Sequence, residues 1–247
     1  MMAPSPEKPD DRQGAASGRG RDDAFKLHSV IERYKAYDQR ITAGHDVFVP
    51  GQTVEGLHCL RDGWAFHYDY PQHGLREIEQ FVLPGDILST RASGGTTPTQ
   101  GTQALTDVVV SVVPMEALDR LAKDSPDVHG RLTALASRRG RHRFHDVVHG
   151  AVQSAPERIS GLILELFGRY RARWPGQRTS DMHLPLTLQH IADATGFSHT
   201  HADRAMSVLT QMGVVTAHEH GVSVMDPDTL MDVAKIHSEV FFSWLRE

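Results

Sequence analysis

The stretch "LPLTLQHIADATGFSHTHADRAMSVLTQMG", Leu184 to Gly213, limits the fold more than any other part of the chain. Two runs of helical periodicity flank Gly196, and a glycine there supplies the backbone freedom that a sharp turn between two helices requires. Thr187 and Ser198 each precede one run, where a hydroxyl can accept a first-turn N–H and start the helix. Ile191 supplies a core contact, Ala192 is small enough for the second helix to approach closely, and Phe197 plugs the turn. On the second helix Ala202, Ala205, Met206 and Leu209 share an inward face, which leaves His199, Thr200, Asp203 and Arg204 outside. "VVTAHEHGVSVMD" then reads as two strands joined by His218-Glu219-His220-Gly221, a wing. A helix-turn-helix with a wing predicts a reader of double-stranded DNA whose second helix enters a groove.

The rest of the chain is organised differently. Residues 1–23 are rich in Pro, Gly, Ser and Asp with almost no large apolar group, and read as a disordered tail. Phe25, Leu27, Ile31, Tyr34 and Tyr37 recur at helical spacing and predict a short helix within Ala24 to Ala43. From His45 to Pro114 the period is two: "EGLHCLRDGWAFHYDY" places strands either side of Asp62-Gly63, a favoured two-residue hairpin turn. "REIEQFVLPGDIL" adds a strand ending at Pro84-Gly85-Asp86, and "DVVVSVV" is a buried strand by its β-branched run. Short strands with regular turn signals predict a small antiparallel barrel or roll. Ser125-Pro126 opens a helix running to about Val152, and Ser154 with Glu157 has the spacing of a capping box ahead of Ile159, Leu162, Ile163 and Leu166.

Composition narrows the chemistry. A single cysteine, Cys59, excludes an internal disulfide framework and a Cys-only metal or iron-sulfur site within one chain, and reads as a buried apolar residue. No apolar run is long enough for a membrane span, and the first residues lack a signal-peptide core, so a cytoplasmic location without membrane contact is expected. The net charge of −5 gives no global attraction to nucleic acid, so binding must rest on local clusters. "RYRARWPGQR" offers Arg169, Arg171, Arg173 and Arg178 as phosphate contacts, and His199 and His201 can add charge below about pH 6.5.

The order of tail, roll with "LRDGWAFHY" and "FVLPGD", long helix, "SAPERI", helix-turn-helix and wing resembles the Crp/Fnr superfamily of bacterial transcription regulators, over residues 25 to 235. The resemblance implies an α+β chain: a cyclic-nucleotide-binding-type antiparallel β-roll at 24–124, a dimerisation helix at 125–153 and a winged-helix DNA-binding domain at 154–247. It implies a homodimer on a two-fold DNA site, possible contact with RNA polymerase, a possible small-molecule effector, no cofactor and no enzymatic activity. Carried over by position, Ser198 is the cap and phosphate contact, and Arg204 matches the arginine that relatives use on a guanine or a nearby phosphate. His199 and Thr200 stand where many relatives have another arginine and a glutamate. His201 has counterparts in the superfamily, but Asp203 replaces the asparagine that accompanies it. The half-site therefore does not follow from the family.

Nucleotide-binding relatives carry a glutamate soon after the PGD turn and a later arginine followed by a small hydroxyl residue. "PGDILSTRASGGTTPTQGTQALTD" has no glutamate, and its one arginine, Arg91, is displaced toward the turn. Cyclic AMP is not expected as the signal; Arg91 with Gly94, Gly95 and Thr96 is either a phosphate cradle or a flexible loop. In the long helix, Val128, Leu135, His142 and His149 recur every seven residues, and with His145 raise a pH or metal switch at a dimer seam. A rival stripe of Leu132, Ala136, Gly140, Phe144 and Val147 fits the seam as well and turns those histidines away. Two further readings stand beside the regulator: a degenerate relative acting through protein partners, supported by the few basic residues on the second helix, and a metal-dependent cupin-type enzyme using His58, His67 and His73. The cupin reading lacks the paired His-x-His that such a site needs.

Overall fold

The computed structural model describes residues 29–52, 54–71, 74–90, 100–130, 132, 154–174 and 182–245. Residues 29–34 are helical, but Tyr37 does not continue that helix. It opens β1 (Tyr37–Ile41), which pairs antiparallel with β8 (Val108–Val113) from Tyr37 opposite Val112 to Ile41 opposite Val108. The helical spacing up to Tyr37 gave way to a sheet edge, because the β-branched run of β8 offers a full ladder of backbone partners.

Two four-stranded antiparallel sheets make the roll. One runs β1-β8-β3-β6, with β3 at Leu57–Asp62 and β6 at Ile87–Thr90; the other runs β2-β7-β4-β5, with β2 at Asp46–Phe48, β7 at Gly101–Ala104, β4 at Ala65–Asp69 and β5 at Glu77–Val82. The Asp62-Gly63 turn is present, but it joins strands of different sheets rather than a hydrogen-bonded hairpin: β3 pairs with β6 and β8, and β4 with β5 and β7. Between the sheets lie Phe48, Leu60, Ala65, Val82, Leu88 and Val110. Because side chains alternate along a strand, Leu57, Cys59 and Ile87 face the other way and bury Ala117 and Leu121 of α1 (Met115–Asp124), a helix absent from the sequence reading. Cys59 is buried as expected, and burial pushes its thiol up to about 12, with Asp86 adding to the rise and Arg173 opposing it.

The opposite face of the roll, Trp64, Phe66, Tyr68, Phe81 and Leu83, is continuous with the core of the carboxy-terminal half. That half is built on α2 (Ala155–Arg173), which Ser154 and Glu157 start with a reciprocal capping box. Every residue of α2 from Ile159 to Arg169 is buried, as expected of a helix enclosed on all sides. Around it stand α3 (Leu188–Thr195), α4 (His199–Gln211), α5 (Pro227–Ala234), α6 (Ser238–Trp244) and a small sheet of β10 (Val215–His218), β11 (Gly221–Val224) and β9 (His183–Leu184) in that order. The helix opened by Ser125-Pro126 is present at residues 126–130 and 132; its expected length to Val152, with His142, His145 and His149, lies outside the described residues, as does the loop with Arg91, Gly94, Gly95 and Thr96. No helix of the described residues is long and apolar enough to cross a membrane.

Candidate nucleic-acid interface

The turn between α3 and α4 forms as the sequence dictates. Thr187 Oγ1 accepts the His190 N–H at 3.3 Å, and the His190 ring returns the favour at the Thr187 N–H, Nδ1 at 3.2 Å. Gly196 follows with φ +71°, the left-handed geometry that ends α3. Ser198 Oγ accepts the N–H of His201 at 3.4 Å and caps α4. Ile191, Ala192, Ala202, Ala205, Met206 and Leu209 are buried. Phe197 is half-buried, and the Arg158 guanidinium lies 5.0 Å from its ring centroid while donating to the Thr195 carbonyl at 3.0 Å. The capped, buried face of α4 thus leaves Ser198, His199, Thr200, His201, Asp203 and Arg204 exposed together at its amino-terminal half.

That surface is poor in fixed positive charge. Between residues 182 and 245 the only lysine or arginine besides Arg204 is Lys235, which is bonded to Glu157 at 2.7 Å. Two of the arginines just upstream, Arg169 and Arg173, are engaged elsewhere. Arg169 is buried, donating to Asp86 at 2.9 Å, to the Phe81 carbonyl at 3.2 Å and to Glu165 at 3.4 Å. Arg173, one helical turn on, donates to Pro84 O at 2.9 Å and pairs with Asp86. The expectation that these two touch phosphates is corrected: four-residue spacing aims both at the roll, where the "PGD" turn presents a carboxylate. Arg171 sits 3.9 Å from Met182 Sδ, and Arg178 lies outside the described residues.

A further arginine, missed by sequence reasoning, ties α3 to the roll. Arg76, just before β5, donates to Asp193 Oδ2 through Nε at 2.9 Å and Nη2 at 2.7 Å, and to Gln103 at 2.9 Å. It also lies over the Phe66 ring, 5.1 Å from the centroid, and His190 packs on the same ring at 5.6 Å. Burial first, and the Arg76 charge second, lower the His190 pKa to about 4, while Asp193 opposes the fall. Only the weak signal of a helix start at Thr187 pointed to His190, and nothing in the sequence joined Arg76 to Asp193.

Inside the roll His58 meets Phe48 edge-on, ring centroids 4.9 Å apart, and its Nδ1 has no hydrogen-bond partner among the described residues. Burial lowers its pKa to about 4. His67 Nδ1 lies 2.8 Å from Thr102 Oγ1, and His73 is outside the described residues.

Residues 157–233 match the family model of the Crp-like helix-turn-helix domain. The anaerobic regulatory protein of Pasteurella multocida (strain Pm70) is 24% identical over 209 residues, covering 85% of this chain and 74% of its own. The fumarate and nitrate reduction regulatory protein of Escherichia coli (strain K12) is 24% identical over 209 residues, 85% of this chain and 81% of its own. Among solved structures, FixK2 from Bradyrhizobium japonicum superposes with a TM-score of 0.67 at 21% identity, over 80% of this chain and 96% of that one.

Proposed function

We propose that the chain is a DNA-binding transcription regulator of the Crp/Fnr type, a cytoplasmic homodimer that binds a two-fold DNA site through α4, on the support of the Crp-like helix-turn-helix match over residues 157–233 and the regulators it resembles. The two recognition helices enter successive major grooves, so the half-sites are centred about one helical turn, roughly 34 to 36 Å, apart. Arg204 reads a guanine by donating two parallel bonds to O6 and N7, and Ser198, His199, Thr200, His201 and Asp203 border that contact on phosphates and neighbouring base edges. The protein catalyses no reaction. Cyclic AMP is not its signal, since the stretch after the "PGD" turn carries no glutamate.

The observation that supports this reading is the exposed cluster at the start of α4, capped by Ser198 and seated on a buried apolar face. Selection of duplexes from a random library by the full-length protein tests it, with Arg204→Ala in parallel. A two-fold consensus that the substitution degrades at one base position, by about 1 to 3 kcal/mol, is expected. Failure to enrich any sequence at low salt would favour a relative that works through protein partners.

A further inference from the structure

The helix that precedes α4 is gripped by the roll. α3 packs against β5, and Arg76, just before that strand, puts two donors on one oxygen of Asp193, Nε at 2.9 Å and Nη2 at 2.7 Å. The two side chains are only 22% and 10% exposed, and they lie 117 residues apart in the chain. The grip is braced at both ends. On the roll side Arg76 Nη1 donates to Gln103 of β7 at 2.9 Å, Gln103 donates to Asp46 of β2 at 3.2 Å, and Tyr68 of β4 donates to the same Asp46 oxygen at 3.0 Å. The Phe66 ring supports the guanidinium from below. On the helix side Gln189 donates to the other oxygen of Asp193 at 2.6 Å. One sheet of the roll is thus joined, strand by strand, to the first helix of the helix-turn-helix.

A second attachment lies on a different helix. At the carboxy-terminal end of α2, Arg169 and Arg173 pair with Asp86 of the "PGD" turn. A rigid body held at one point can swing about it, and a second point of attachment removes the swing. α4 follows α3 closely, because the Gly196 turn joins them and Ile191, Ala192, Ala202 and Ala205 belong to one buried cluster. The place of α4 is therefore set from the roll.

On a two-fold site the distance and angle between two recognition helices have to match the DNA. One base pair more or fewer between the half-sites moves one half-site by about 3.4 Å and turns it by roughly 35°. A winged half free to swing can follow that change, and one held at two points cannot. Resting on the dimeric DNA-binding reading above, we propose that Arg76 is a positioning residue: through Asp193 it fixes the separation and tilt of the recognition helices, and so makes binding selective for the spacing between half-sites without reading any base.

The test uses the full-length protein and its selected duplex in three forms, with the selected spacer, one base pair fewer and one more, beside a duplex that carries a single half-site. Wild type is expected to prefer the selected spacer, and Arg76→Ala to reduce that preference about ten-fold, within the 5- to 150-fold range of ordinary coupling between sites. Affinity for the single half-site stays within about two-fold of wild type, since the base contacts are untouched. Asp193→Ala relaxes the spacing to the same extent, and the double variant goes no further, as a shared contact requires. Arg76→Lys, a point charge without the planar fork, falls between wild type and Arg76→Ala. A spacing preference unchanged in Arg76→Ala overturns the proposal, and so do additive effects in the double variant. A uniform change on all four duplexes also overturns it: uniform loss makes the contact part of the fold of α3, and uniform gain makes it a restraint on binding. A wild type that selects a two-fold site but accepts all three spacers equally overturns the positioning role and leaves the regulator reading standing. Absence of any sequence-selective binding sinks both.

Discussion

Asp86 shows how much one carboxylate of the "PGD" turn carries. Its Oδ2 accepts the Leu83 N–H at 2.9 Å, closing the turn, and the same group receives Arg169 and Arg173 from α2. Burial alone would raise its pKa, but Arg173, then Arg169 and the Leu83 N–H, together hold it below the usual carboxylate range. With a folded pKa below the unfolded one, its contribution is present above about pH 3.9 and lost as pH falls through the folded value. Asp86→Ala leaves the buried Arg169 guanidinium with Glu165 as its one charged partner among the described residues, and a cost of about 3 to 5 kcal/mol is expected, read as a lower urea midpoint at neutral pH. Asp86→Asn keeps an acceptor for Leu83 but not the charge, and should recover only the part that belongs to the turn. At this scale the sequence was legible where a residue acts on its own neighbours. Gly196, Ser198, Thr187 and the Ser154–Glu157 box were all read correctly because caps and left-handed turns are decided within a few residues. Arg169 and Arg173 were misassigned because a guanidinium suits phosphate and carboxylate equally, and the carboxylate that wins lies 83 and 87 residues away.

Among the elements, α3 is the one whose start depends on a titratable group. The His190 ring caps the Thr187 N–H with an unprotonated nitrogen while packed on Phe66 beside Arg76. A proton on that nitrogen removes the acceptor and places a cation against a cation. The folded pKa, about 4, lies below the ordinary histidine value near 6.5, so the unfolded chain binds the proton first. Stability is therefore complete above pH 6.5, declines as pH falls toward 4, and levels off below it; buried His58, also lowered to about 4, acts in the same direction. His190→Gln keeps an acceptor in the capping-box position without the proton and should flatten the decline between pH 6.5 and 4 in thermal unfolding, with His58 accounting for what persists. An undiminished pH slope in that variant would place the acid sensitivity elsewhere. The strands were legible in kind but less so in partnership. β8 was evident from its β-branched run, yet Asp62-Gly63 looked like a hairpin until the two sheets were seen to share the turn. Residue periodicity describes one strand's faces; it does not say which strand lies alongside.

For the whole molecule, the central question is how a chain of net charge −5 approaches a polyanion. Arg76, Arg169 and Arg173 bind the winged half to the roll through Asp193 and Asp86, so the charges that a sequence count would assign to DNA hold the two halves together. The fixed cation exposed on α4 is Arg204, with His199 and His201 exposed beside it. Each phosphate neutralised by a protein cation steepens the salt dependence of binding by about 0.9 in the log–log slope, and a protein with six to ten such contacts loses roughly 10³ to 10⁵ in affinity between 50 and 200 mM salt. With so few fixed cations on the winged surface, the expected loss over that range at pH 8 is smaller, below about 10³-fold. Titrating the selected duplex at four salt concentrations checks this, and Arg204→Ala should lower affinity at every one of them. A slope at pH 8 already as steep as that of a strongly basic regulator would show that the Arg76 and Asp86 clusters release their arginines on DNA. In that case Asp86→Ala, which frees Arg169 and Arg173 in advance, would tighten binding rather than only weaken the fold.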